Sequence, residues 1–235
     1  MREFPICHCG TQSILAMSGC TVRPLVCGPT GALASLVVFG DATVLLNCGY
    51  DARGALAPAI AARARRRMAA AADAAVDAVL ITHAEACLGL PELLRGLAEG
   101  GAGRGWPRVY ATVATARAGL AMLRAAAEGG RDGDGGTHIP VGGGAEAAMD
   151  AIAAGVTGVA YGEAVVIRGR VRAVAVASGF EPGGASWVLL SEYSKVPRAA
   201  SGLDMLFACG PACHAGRSYG ARVGPQVAVP AAAAA

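Results

Sequence analysis

Val76-Asp77-Ala78-Val79-Leu80-Ile81 is apolar at every position but one. A strand reads as a continuous apolar run when both of its faces are covered, whereas a half-exposed strand alternates with period two. A buried strand of this kind belongs to the interior of a layered α/β fold. The residues just after it are more polar: Thr82, His83, Glu85 and Cys87 stand where the strand passes into a loop. Loops at the edge of a rigid sheet are where α/β proteins place their chemistry, so this junction is the first candidate site.

The rest of the chain fits around that strand. Val22 to Val26, Ala34 to Phe39 and Thr43 to Asn47 are short Val- and Leu-rich runs separated by Gly28-Pro29-Thr30-Gly31 and Gly40-Asp41, which predicts antiparallel strands. The Ala/Arg-rich segment from Ala55 to Ala75 predicts a helix. Pro91 suits the first turn of a helix through Leu97. Arg108 to Ala111 predicts a strand, and Thr112 to Ala127 a helix capped by Thr112 or Thr115. Glu128 to Gly144 is a Gly/Asp-rich loop, and Ala145 to Ala154 a short helix. Val156 to Ala160, Ala164 to Ile167, Arg172 to Ala177 and Ser186 to Leu190 close the series as strands. Strands, then strand–helix alternation, then strands again predict mixed sheets with helices outside. The expected organisation is an N-terminal extension over 1–17, one domain over 18–208 and a disordered Pro/Gly/Ala-rich tail over 209–235.

Composition removes several function classes. The net charge of +3 is too small to predict nucleic-acid binding by itself, and Arg63, Arg65, Arg66 and Arg67 read as the solvated face of a helix. Eight cysteines in 235 residues fall far short of a disulfide scaffold, and no secretory leader precedes them, so a reducing compartment is expected. Cys7-His8-Cys9 is too tightly spaced for a zinc site. Cys209, Cys213 and His214 lack a second ligand pair, so both clusters read as free thiols. No uninterrupted apolar run reaches the eighteen residues of a membrane span. Gly142-Gly143-Gly144 precedes a helix without the Lys-Ser/Thr of a phosphate loop, and Ser178 and Ser191 lack a nucleophile-elbow context. Trp187 reads as a core anchor between sheets.

Four segments, in order, carry a family resemblance. Val44-Leu45-Leu46-Asn47-Cys48-Gly49 resembles the L-L-D-C-G strand end of the metallo-β-lactamase/β-CASP group of RNA-processing nucleases. Ala78-Val79-Leu80-Ile81-Thr82-His83 resembles the next signature strand of that group, and Val109-Tyr110-Ala111-Thr112 its V-Y-A-T turn. The stretch Ser178 to Trp187 resembles its later A-G-H-x-x-G-x-x-x-W segment. The implied fold is α/β: a metallo-β-lactamase-like layered fold of mixed β-sheets flanked by helices, present as an incomplete, N-terminal part.

The resemblance also maps the two-zinc site of the group, position by position. The early Asp is Asn47 and the first His is kept as His83. The second His is Glu85, the Asp is Cys87, the next His is Leu88 and the later His is Phe180. The late Asp falls at Leu203, beside Asp204. Amide, Leu and Phe side chains cannot replace anionic or imidazole zinc ligands. The expectation is therefore a pseudo-enzyme with no catalytic residues and no cofactor, its former metal pocket filled by packing around Phe180 and His83 acting as a loop or core histidine bonded to backbone. The implied role is a nuclear scaffold in an RNA 3′-end processing complex, including processing of small nuclear RNA precursors. It would pair with an active homologous endonuclease, and touch RNA indirectly and no membrane. The competing expectation is a single-zinc hydrolase using His83, Glu85 and Cys87, which share one side of the chain only if that segment is extended.

Overall fold

The computed structural model describes residues 15–17, 20–28, 31–39, 42–48, 76–91, 93–94, 107–129, 145–169, 171–179, 181–191 and 205–208. Four strands, β1 (Leu15–Met17), β2 (Cys20–Gly28), β3 (Gly31–Phe39) and β4 (Ala42–Leu46), run as an antiparallel meander. The sheet then continues in parallel through β5 (Ala78–Leu80), β6 (Arg108–Thr112) and β7 (Val156–Val159), giving seven strands in sequence order. A parallel neighbour requires a crossover. Between β6 and β7 that crossover holds α1 (Val113–Gly129) and α2 (Ala145–Gly155). A second, antiparallel sheet is ordered β11 (Met205–Ala208), β10 (Ala185–Ser191), β9 (Val171–Ala177) and β8 (Ala164–Ile167).

Alternation along β5 shows how the layers stack. Val79 and Ile81 join Leu45, Val109 and Ala111 in packing against Leu90, Leu93, Leu94, Leu123 and Ile152 on the helical side. Ala78 and Leu80 point the other way, with Val44, Leu46 and Tyr110, onto Ala173, Ala175, Trp187 and Leu189 of the second sheet. The described residues thus stack as helices, sheet, sheet, and the α/β layering of mixed sheets flanked by helices expected from the sequence is present. Burying side chains such as Leu45, Leu80 or Ile81 contributes roughly 2 kcal/mol each. Trp187 is the anchor between sheets that its sequence context predicted.

The one polar residue of the buried run has a defined place. Asp77 accepts the Thr43 amide at 2.8 Å through Oδ2, and its Oδ1 lies 3.3 Å from Arg168 Nε. It ties the start of β5 to the neighbouring strand and to the β8–β9 turn. At α1 the predicted cap is Thr112, whose Oγ1 accepts the Thr115 amide at 3.1 Å.

Three elements depart from expectation. Leu15–Met17, placed in the extension by sequence, pairs with Cys20 to Val22 as an edge strand, and three residues are too short to carry a period. Met205–Ala208 adds an unanticipated strand against β10. Ala84–Gly89 is a 3₁₀ helix, which removes the extended geometry on which a shared face of His83, Glu85 and Cys87 depended. The helix expected over Ala55 to Ala75, most of the loop from Glu128 to Gly144 and the tail over 209–235 lie outside the described residues. Among the described residues no helix is long and apolar enough to cross a membrane.

Candidate functional site

The site forms where β4 and β5 end side by side. Asn47 leaves β4 in the left-handed region, with φ 58. Asparagine tolerates that conformation better than most residues because its short amide bonds locally. Here its amide reaches across to the neighbouring strand end. Oδ1 accepts the Thr82 amide at 2.9 Å, and Nδ2 lies 2.9 Å from Thr82 Oγ1. The Asn47 backbone amide donates to the Leu80 carbonyl at 2.9 Å. Asn47 and Thr82 are both buried, so a fully partnered amide–hydroxyl pair holds the two strand ends together.

His83 extends this network. Its Nδ1 lies 2.8 Å from Thr82 Oγ1. Burial pushes the imidazole below its ordinary value, while the carboxylates of Glu181 and Glu85 pull the other way. The result is a neutral ring at neutral pH. His83 also provides the extended residue that leads into the 3₁₀ helix. At its start, Glu181 Oε1 accepts the Ala84 amide at 2.7 Å, a contact between residues 97 apart in sequence.

The 3₁₀ turn separates the residues that sequence reasoning grouped. Glu85 is exposed, whereas Cys87 and Leu88 are buried. Cys87 packs under α1: a methyl group on Gly119 would lie 2.6 Å from Cys87 Cβ. Burial, with Glu181 adding to it, pushes the Cys87 thiol up to about 12. Cys48 donates to the Ala86 carbonyl, and its thiol is raised well above the usual range by burial and by Cys87. Both shifts favour the protonated thiol at neutral pH. Phe180 lies outside the described residues.

The loop beside it is built from glycines. Gly183, with φ +88, brings its carbonyl to the hydroxyls of Thr112 at 2.6 Å and Thr115 at 2.7 Å, which fastens the start of α1 to the loop between β9 and β10. Tyr161 donates its hydroxyl to the Gly184 carbonyl at 2.9 Å. Its phenol is raised by burial and then by Glu181. Glu181, Tyr161 and Cys48 are thus site residues that sequence reasoning did not single out. The signal for Glu181 was its position next to Phe180 in the late segment. Among the described residues, no three His, Cys, Asp or Glu side chains converge as a metal-binding group.

The buried thiols have a measurable consequence. A group whose folded pKa is raised supports the fold below its unfolded value and loses that support as pH climbs toward the folded value. Stability should therefore fall from about pH 9 upward, by up to about 1.4 kcal/mol per pH unit for one thiol. Denaturant titrations from neutral to alkaline pH will show a shallower alkaline decline in Cys87→Ala than in the parent. Equal declines would mean that Cys87 titrates in the open.

No family model and no curated protein matches the chain. Among solved structures it is similar to the first B3 metallo-β-lactamase with an active-site glutamic acid, at 20% identity and TM-score 0.44, covering 78% of this chain and 57% of that one. It is similar to the MIM-2 metallo-β-lactamase at 20% identity and TM-score 0.42, covering 72% and 56%. It is also similar to the apo chemotaxis sensor ODP from T. denticola at 11% identity and TM-score 0.43, covering 77% and 62%. The chain thus spans a little over half the length of the structures it matches.

Proposed function

We propose that the chain is a non-catalytic scaffold of the metallo-β-lactamase/β-CASP kind, similar to Integrator complex subunit 9, within a nuclear complex that processes RNA 3′ ends. One observation carries the loss of catalysis: the positions that correspond to zinc ligands have taken up structural contacts. Asn47 spends its amide on Thr82, Cys87 packs protonated against Gly119, and Leu88 is buried without a donor atom. Only His83 remains of the imidazole set, and its Nδ1 engages Thr82. A two-zinc centre needs several anionic or imidazole donors on one side of an open position, and these residues do not fit one.

The partner in this reading is an active homologous endonuclease, with RNA reached through it. The short loop from His83 to Leu90-Pro91 and the run Tyr193-Ser194-Lys195-Val196 favour the Integrator subunit. The larger inactive nuclease-like subunit of cleavage and polyadenylation specificity factor keeps a longer loop and a His where Phe180 stands, and is the second choice.

Elemental analysis of the purified chain beside His83→Ala tests the chemistry, and affinity capture from nuclear extract tests the partner. Zinc below about 0.1 per chain in both proteins is expected, together with recovery of a homologous nuclease. About one zinc per chain that disappears in His83→Ala would sink the scaffold reading in favour of a single-zinc hydrolase.

A further inference from the structure

The opposite end of the sandwich from His83 holds a cavity of about 340 Å³ between the two sheets. Asp77 and Ala78 line it from the start of β5, Arg108 and Tyr110 from β6, and Ile167 and Arg168 from the β8–β9 turn. That size is within the range of small-molecule sites and well beyond a single bare ion. None of these residues takes part in the network around Asn47, Thr82 and His83, so the cavity is independent of the scaffold role.

Charge decides what such a cavity would hold. Arg108 from one sheet and Arg168 from the turn of the other line one space, and Asp77 is the one carboxylate among its described lining residues. That carboxylate is committed: Oδ2 takes the Thr43 amide and Oδ1 faces Arg168 at 3.3 Å. Asp77 therefore balances and orients Arg168, and Arg108 has no ion pair among the described residues. Arg168 (φ 52) and Gly169 (φ 74) are consecutive left-handed residues, as a tight hairpin turn requires, and the turn carries the Arg168 side chain to Asp77 at the cavity wall. Tyr110, buried in the core, also lines it, and the exposed Val166, beside the buried Ala78 and Ile167, supplies apolar wall.

We propose that this cavity binds a small phosphomonoester, with its phosphate between Arg108 and Arg168 and its organic part against the apolar wall. Guanidinium forks match the paired oxygens of phosphate, and two of them from different elements suit a tetrahedral dianion better than a planar carboxylate. Among the described residues Arg108 brings a charge with no ion-pair partner, and the dianion supplies its counter-charge.

Isothermal titration of the full chain with inorganic phosphate and with uridine 5′-monophosphate tests this. One saturable site is expected for both, tighter for the monoester. Arg108→Met and Arg168→Gln should each weaken it by about tenfold. Arg108 is exposed, so Arg108→Met should keep the parent's circular dichroism spectrum and melting temperature. The melting temperature of the parent should rise in phosphate over chloride at equal ionic strength, and that rise should vanish in Arg108→Met. No saturable binding of either probe up to about 10 mM overturns the proposal, as does equal affinity in the parent and both arginine variants. Binding of inorganic phosphate alone overturns the monoester assignment and leaves an ion site.

Discussion

Trp187→Ala should lower the unfolding free energy by about 4 kcal/mol, the largest loss expected from any single side chain described. Trp187 has no exposed surface and lies between the sheets, among Phe39, Leu80, Tyr110, Val171 and Leu189. Truncation leaves a cavity lined by two sheets whose strands are held by ladders, so the walls cannot collapse to fill it. A second cost adds to the first. The indole Nε1 donates to the Ile81 carbonyl at 3.0 Å, and an unpaired buried carbonyl is itself destabilising by about 1–3 kcal/mol. Trp187→Phe separates the two terms, because it keeps most of the volume and loses the donor, and should cost roughly half as much. Urea titrations measure both. A domain stability of about 5–15 kcal/mol leaves the alanine variant folded but marginal. If Trp187→Ala cost less than about 1 kcal/mol, the two sheets would not be packed face to face through this residue.

The bond to Ile81 also links the core to the site. Ile81 precedes Thr82 and His83, and the Thr82 carbonyl accepts the Ala185 amide at 2.7 Å. The second sheet thus grips the end of β5 twice within two residues. The Asn47–Thr82 pair is held at a fixed place by this grip.

Periodicity carried the layers and most of the strands. In β5 every residue is buried, as its unbroken apolar run implied, whereas in β9 burial alternates along Val171–Ala177 although Arg172 is its one polar residue. The site was less readable because its contacts are long in sequence. Glu181 meets Ala84 across 97 positions, and Arg168 meets Asp77 from the other sheet; no local pattern encodes either contact. The segment Ala84–Gly89 is too short and too rich in alanine for its sequence to choose between extended and 3₁₀ backbone. Tertiary packing under α1 made that choice, and it parted Glu85 from Cys87.

Gly119→Ala tests that packing directly and should destabilise the protein by about 3 kcal/mol. In an open helix interior this substitution is favourable by about 1 kcal/mol, because alanine restricts the unfolded chain and suits the helix. Gly155, at the end of α2, has nothing within 4 Å of where a methyl group would stand, so Gly155→Ala should follow the ordinary rule and stabilise slightly. At Gly119 the methyl would meet Cys87 Cβ at 2.6 Å and the Ala84 carbonyl at 3.0 Å, as well as Cys87 Sγ. Two of these are not flexible ends, so α1 must move away from the 3₁₀ turn, and overpacking of that kind outweighs the propensity gain. Cys87→Ala in the same background removes only the sulfur contact and should restore part of the loss. The sign of the effect reports where Cys87 points. A thiol turned outward to hold a metal at the sheet edge would leave room beside Gly119, and Gly119→Ala would then be neutral or stabilising. A strong loss with partial rescue by Cys87→Ala instead places the sulfur under the helix, where a protonated, buried thiol is a packing atom.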